Sequence, residues 1–362
     1  MTFYYKVGEK TFHNKLQAIQ ENIKTRHAIC LESPYGDADF SIEPQETLDE
    51  LIALHLNELR NQYKNIRLYF SGGVDSLVLL QAFVKHGIHI DEIICLRSGI
   101  PTADFEIDQY ALPTLKKLSS KLHKTKITIK TSSISDYYDF YKAGITDEKI
   151  AMGSAGTHNY LRLFWNKDLY GTHYDDDVLN IRGQEKPKIV QHGNDYYAYH
   201  LDGDLEPHKN NYQFFSANTP IHIKQSHMFL KTFTTMDHKK ETDVWKRQNE
   251  WNKSIGRATE HDWPMKECYF GMEDNFFKHD RGKIYYSNNK DKIAIEWCID
   301  HEPELIGLWL DNLEQLKSLT GNQWWNDNRP EMGSVGVFSK FYCLTKKSIK
   351  TVDELYPNGF QN

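Results

Sequence analysis

Residues 66–84 constrain the fold more than any other stretch of the chain. Ile66-Arg67-Leu68-Tyr69-Phe70 reads as a strand, Gly72-Gly73 breaks it, and Leu77, Val78, Leu79, Leu80, Phe83 and Val84 then run apolar around most of a helix. A helix apolar on nearly all sides has to be buried, and a strand feeding it through a glycine turn opens a β/α unit. The alternation continues downstream. Ile90–Leu96 reads as a second strand, Pro113–Lys124 as a helix entered at its proline, and Lys126–Lys130 as a third strand. Ser135–Tyr141 and Gly156–Trp165 read as helices and Val178–Ile181 as a fourth strand, which together predict a parallel sheet layered with helices.

The flanks are less regular. Residues 3–31 mix short apolar runs, and Pro34-Tyr35-Gly36-Asp37 marks a loop between Ser33 and Pro44. Thr47 followed by Glu50 has the form of a capping box, and Leu48, Leu51, Ile52, Leu56 and Leu59 recur at helical spacing, so a helix over about 46–63 is expected. Asp195–Tyr199 reads as a hairpin or edge strand, and the alternation stops near residue 215. Segments 225–235, 241–251 and 303–318 look helical. The expected organisation is an N-terminal extension with entry helix (1–63), a nucleotide-binding-type β/α domain (64–215) and a mostly helical C-terminal domain (216–362).

Composition excludes several classes. With 362 residues, 39% hydrophobic and 26% charged, the chain can bury a sizeable core, so disorder and fibrous repeats are ruled out as its main state. Charged residues or histidine interrupt every apolar run well before the roughly 18–20 residues needed to cross a bilayer, so no membrane partner is expected. Met1-Thr2-Phe3-Tyr4-Tyr5-Lys6 lacks the order of a secretion signal, and a cytoplasmic location is expected. Five widely spaced cysteines with no Cys-x-x-Cys pair read as reduced thiols. A net charge of −6 offers no global attraction to nucleic acid.

Ser71-Gly72-Gly73-Val74-Asp75-Ser76 carries the chemistry. Phosphates need clustered N–H donors, and two glycines let the backbone approach an anion while the following helix N-terminus adds partial positive charge. Ser71 and Ser76 add hydroxyls. Asp75 falls in the first helical turn, where it can cap N–H groups or hold water on a Mg²⁺ that neutralises the phosphates. The loop holds no lysine, so this reading requires a metal ion. Walker-type Gly-x-x-x-x-Gly-Lys-Ser/Thr and a dinucleotide Gly-x-Gly-x-x-Gly at the first strand are both missing, which argues against an ADP-forming NTPase and against NAD.

At these residues the chain resembles the PP-loop ATP pyrophosphatases, the superfamily of GMP synthetase, NAD synthetase, asparagine synthetase and the tRNA lysidine and thiolation enzymes. The resemblance covers about residues 64–200. It implies a twisted parallel sheet of the adenine nucleotide alpha hydrolase (HUP) type, ATP and Mg²⁺ as ligands, and cleavage of ATP to AMP and pyrophosphate. It also implies that Ser71, Gly72, Gly73, Val74, Asp75 and Ser76 hold the phosphates and that backbone near Tyr69, Phe70, Cys95 and Leu96 holds the adenine. After the fourth strand, Arg182-Gly183-Gln184-Glu185-Lys186 stands where family members carry a second glycine loop. There Arg182 and Lys186 would supply cations and Glu185, with Asp75, a metal ligand, although a solvated turn is nearly as good a reading. Catalysis of this kind is chiefly positioning and charge stabilisation.

Several other features have a bland reading beside the functional one. Cys95 lies in an apolar strand and reads first as a core residue. Gly153–Asn159 before Arg162 is an anion-facing helix start or an ordinary cap, and Asp175-Asp176-Asp177 reads first as a wet loop. The histidines, among them His222, His227, His261 and His279, show no metal-ligand spacing. Residues 224–257 are locally basic around Trp245 and Trp251, which suits either a solvated helix face or docking of RNA. Asparagine synthetases of the family carry a glutaminase whose nucleophilic cysteine follows the initiator methionine; residue 2 here is Thr2, so no built-in glutaminase is expected. The expected activity is adenylation of a carbonyl or carboxyl oxygen for attack by ammonia or an amine, with a small-molecule substrate. A tRNA-modifying adenylase and a non-catalytic nucleotide-binding protein are the alternatives, and monomer and homodimer both stay open.

Overall fold

The computed structural model describes residues 3–13, 15–101, 103–144, 177–183, 187–200, 211–235, 290–320, 337 and 339–355. The chain opens with β1 (Tyr4–Val7), β2 (Lys10–Phe12), α1 (Lys15–Thr25) and β3 (Ile29–Glu32), whose strands form an antiparallel sheet in the order β2-β1-β3. Helix α2 (Leu48–Gln62) follows. Its N-terminus is fixed by the expected capping box, in which the Thr47 side chain accepts from Glu50 N–H and the Glu50 carboxylate accepts from Thr47 N–H at 2.8 Å.

The β/α alternation comes next, with β4 (Asn65–Tyr69), α3 (Val74–Lys85) and β5 (Glu92–Arg97) close to their expected positions. α3 is buried as its composition demands, with Leu77, Val78, Leu79, Leu80, Ala82 and Phe83 all inside the core. The helix expected over Pro113–Lys124 is displaced. A π-helical turn (Ile107–Ala111) runs directly into α4 (Leu112–Lys117), so Pro113 lies inside the helical run rather than at its entrance. Leu112 N–H reaches back five residues to Ile107 C=O, a widened turn that suits a neighbouring proline without an N–H. Beyond Leu118 the chain makes successive turns rather than helix, as in Lys121 N–H to Leu118 C=O and Thr125 N–H to Leu122 C=O.

β6 (Lys126–Thr131), α5 (Ile134–Lys142) and β7 (Val178–Arg182) complete the alternation, and the hairpin β8 (Lys188–His192) and β9 (Asp195–Tyr199) follows. Then come β10 (Asn211–Gln213), α6 (Phe214–Ala217), α7 (Thr219–Thr235), α8 (Lys290–His301), α9 (Pro303–Thr320), β11 (Phe341–Cys343), β12 (Ile349–Lys350) and α10 (Val352–Leu355). The chain after residue 216 therefore contributes strands as well as helices. The central sheet is parallel in the order β10-β7-β4-β5-β6, and a second, antiparallel sheet runs β12-β11-β9-β8.

One core spans the first and last described segments, joining Phe3, Tyr5 and Leu31 to Leu68, Leu79, Ile181, Phe214, Val337 and Tyr342. At its N-terminal side, Tyr35 donates to Ser216 C=O at 2.5 Å and meets His200 Nε2 at 2.7 Å. The Tyr35 ring also stacks on His222, with centroids 4.9 Å apart. None of the four cysteines among the described residues is in a disulfide, and no helix among the described residues is long and apolar enough to cross a membrane.

Candidate functional site

Strand order locates the site. From β4 the chain steps through α3 to β5 and then β6, whereas β7 returns to the opposite flank of β4 and leads on to β10. The connections leaving β4 and β7 therefore diverge, which makes the crevice beyond their carboxyl ends the topological switch point of the sheet. Ligands of open α/β sheets bind at such crevices, where diverging loops leave room and backbone N–H groups face outward. The two segments that meet there are Ser71–Ser76 and Arg182-Gly183.

The first segment turns tightly. Phe70 N–H still bonds Ile94 C=O at 2.9 Å, after which Gly72 takes φ +81° and Gly73 caps α3 without a side-chain bond. The Ser71 hydroxyl accepts from Gly73 N–H at 3.2 Å and lies 3.3 Å from the Ser76 hydroxyl, which donates to Gly73 C=O at 3.1 Å. Ser71 is exposed, Asp75 half-buried and Ser76 buried. Val74 is the first residue of α3. The twelve-residue α3 thus starts at the crevice, with the Ser71 and Ser76 hydroxyls in its first turn and cap.

Both glycines beside the crevice are held by their neighbours. A Cβ on Gly72 would stand 2.8 Å from Ala111 N and 3.0 Å from Glu106 O, so the π-helical turn supports the loop from one side. A Cβ on Gly183 would stand 2.5 Å from Asp75 O and 2.7 Å from Ser76 N, so the β7 exit supports it from the other. Arg182 pairs in register with Tyr69 and lays its guanidinium 5.4 Å from that ring's centroid. Its side chain is largely buried, which places a permanent cation beside the loop.

The structure thus brings Ser71–Ser76 and Arg182 together. Phe70, buried, and Leu96, half-buried, lie at the carboxyl ends of the adjacent β4 and β5. Glu185 and Lys186 lie outside the described residues, as do Gly153–Asn159, Arg162, Trp245, Trp251, His261 and His279. Of the basic stretch 224–257, the described Lys224 and Lys231 are both engaged by Glu43, at 2.9 and 2.8 Å. Cys95 is fully buried, and burial pushes its thiol up to about 12, so it stays protonated and unreactive at neutral pH. Among the described residues no group of three or more His, Cys, Asp or Glu is placed to hold a metal ion.

One part of the site has no signal in the residue pattern. At the end of β5, Asp104 accepts from Ser98 N–H at 2.6 Å and from Gly99 N–H at 3.1 Å, while Arg97 pairs with Asp108. This turn fixes the start of the π-helical segment that packs on Gly72, and only the proline at 113 hints at the irregular helix. Comparisons of the chain with protein-family models, with curated proteins and with solved structures give no match.

Proposed function

We propose that the chain is an ATP-dependent adenylating enzyme of HUP-type architecture that releases AMP and pyrophosphate while activating a carbonyl or carboxyl oxygen for attack by ammonia or an amine. The observation that carries this reading is the placement of Ser71–Ser76. A two-glycine, two-serine loop with an aspartate in the first turn of a buried helix stands at the switch point of a parallel sheet, with Arg182 beside it.

The chemistry of the donor set supports a magnesium–triphosphate group in this crevice. Mg²⁺ keeps most of its waters and needs only one or two carboxylates besides phosphate oxygens, and the half-buried Asp75 offers one. When bound, the ion would neutralise phosphate charge and favour departure of pyrophosphate. The protein's own part is positional. The α3 N-terminus and the Ser71 and Ser76 hydroxyls bind the β- and γ-phosphates, and Arg182, stacked on Tyr69, balances charge on the leaving group. Glu185 and Lys186 belong to the same proposal as a further metal ligand and cation. A small molecule is the proposed acceptor, and of the basic stretch the described Lys224 and Lys231 are held by Glu43.

The test is the nucleotide product formed from α-labelled ATP with Mg²⁺ and a metabolite extract. AMP with pyrophosphate is expected. ADP would overturn the adenylation chemistry, and ATP binding without turnover would leave a nucleotide-binding protein. Asp75→Asn is expected to lower ATP cleavage by roughly 100-fold or more with the fold intact, and near-normal turnover would refute the cradle.

A further inference from the structure

Among the described residues the central sheet ends at β6, an edge strand with an unusual charge. Residues 109–135 hold six lysines (116, 117, 121, 124, 126, 130) and not one Asp or Glu, in a chain whose net charge is −6. Lys116, Lys117, Lys121 and Lys124 are exposed. Among the described residues, none of these four side chains forms an ion pair or hydrogen bond. Lys126 is tied to Glu92 at 2.8 Å, and Lys130 has a contact of its own. The strip starts at the end of α4, passes through the turns at 118–125 and continues along β6.

The edge also carries apolar side chains and free backbone. Ile127 and Ile129 share one face of β6 and are 43% and 45% exposed, although the other strands of this sheet are mostly buried. Lys126 N–H bonds Asp91 C=O and Ser132 N–H bonds Arg97 C=O, so the even-numbered residues of β6 face β5. By the alternation of a parallel ladder, the N–H and C=O groups of Ile127, Ile129 and Thr131 point away from the sheet. Lysines on an edge strand commonly serve only to deter pairing with stray strands. Here the positive charge extends well beyond the strand, and it flanks two exposed isoleucines.

We propose that β6 is a docking edge for an extended acidic segment of another protein, in which acidic and β-branched apolar residues alternate and which adds as a sixth strand. Such a segment would answer all three features. Its backbone would complete the outward hydrogen bonds, its apolar side chains would cover Ile127 and Ile129, and its carboxylates would face the lysines. A second copy of this chain is a poorer occupant. Antiparallel self-pairing about Thr128 would set Lys126 of one copy opposite Lys130 of the other, with the unpaired lysines of both strips adding to the repulsion. Nucleic acid would use the charge but neither the isoleucines nor the backbone, and the strip from 116 to 131 offers a single ring, His123, and no Phe, Tyr, Trp or arginine for bases to stack on. The proposal is independent of the nucleotide site.

The test uses the full chain and a fluorescein-labelled peptide of four Glu-Val repeats, followed by anisotropy at low and physiological salt. Saturable binding is expected, weakening at least tenfold in the Lys116→Glu/Lys121→Glu/Lys124→Glu variant, whose substitutions fall on exposed, unpaired positions. N-methylation of alternate peptide amides is expected to weaken binding to a similar extent, because the charge remains while backbone pairing is lost. Amide exchange should slow at Ile127, Ile129 and Thr131 on binding. Absence of binding, or equal affinity for the N-methylated peptide or a Glu-Gly repeat, would overturn the proposal. Tighter binding of oligouridylate with the same lysine dependence would reassign the edge to nucleic acid. Sedimentation of the free chain as a dimer that Ile129→Lys dissociates would reassign it to self-association.

Discussion

Two glycines set how closely the chain can wrap around the candidate site. Gly183→Ala would push a methyl group to 2.5 Å from Asp75 O, and both crowded atoms at that contact belong to backbone that cannot rotate aside. Gly72→Ala adds a positive φ of 81° to a 2.8 Å approach to Ala111 N. Each substitution is expected to cost roughly 1–3 kcal/mol in denaturant unfolding. A displaced α3 N-terminus should weaken nucleotide binding in both variants as well. An unchanged unfolding midpoint would mean that the loop is not held between these neighbours. Cys95→Ala tests the opposite expectation. With its thiol buried and pushed up to about 12, Cys95 acts as core packing, so ATP turnover should change little, and complete loss of turnover would revive a sulfur-transfer role.

Among the elements, those whose signal is local were legible. The strand, glycine turn and all-apolar helix at 66–84 reappear as β4 and α3, and Thr47 with Glu50 caps α2 as the spacing requires. Thr47→Ala should cost about 1 kcal/mol by thermal unfolding, and a much smaller loss would show that tertiary packing alone holds this helix end. The elements that could not be read depend on distant partners. β10 and β11 are three residues each, too short to show a period, and they exist because β7 and β9 provide an edge to pair with. The π-helical turn was hidden for another reason. Its cause is a combination of Pro113 within the run and the Asp104 anchor at its start, and neither alone predicts a widened turn. The Ser71–Ser76 loop was visible as a motif, whereas its contact with Gly183 follows from the insertion of β7 beside β4.

For the molecule as a whole, the histidine cluster sets an acid limit. Burial holds His200 well below the ordinary histidine range, with help from His222 and Lys188, and burial with Lys188 brings His222 down to about 3. In the unfolded chain both would titrate near 6.5, so from there downward the unfolded state binds more protons and stability falls with falling pH. Each histidine steepens that fall by up to about 1.4 kcal/mol per pH unit. Denaturant titrations should show the extra protons taken up on unfolding rising from about one at pH 6.5 to about two at pH 4.5, and His222→Phe should remove about half of that uptake. A flat profile would show that the cluster is solvated. The same cluster links segments far apart in the chain, since His200 N–H donates to the Ser339 hydroxyl at 2.8 Å across 139 residues, and Leu31 bridges to Ser339 as well. Closing so long a loop is entropically expensive and slow. On the ribosome, the first sheet would therefore wait for its last neighbours until the segment around Ser339 has emerged, and nascent chains stalled before that point should be open to protease throughout the N-terminal half.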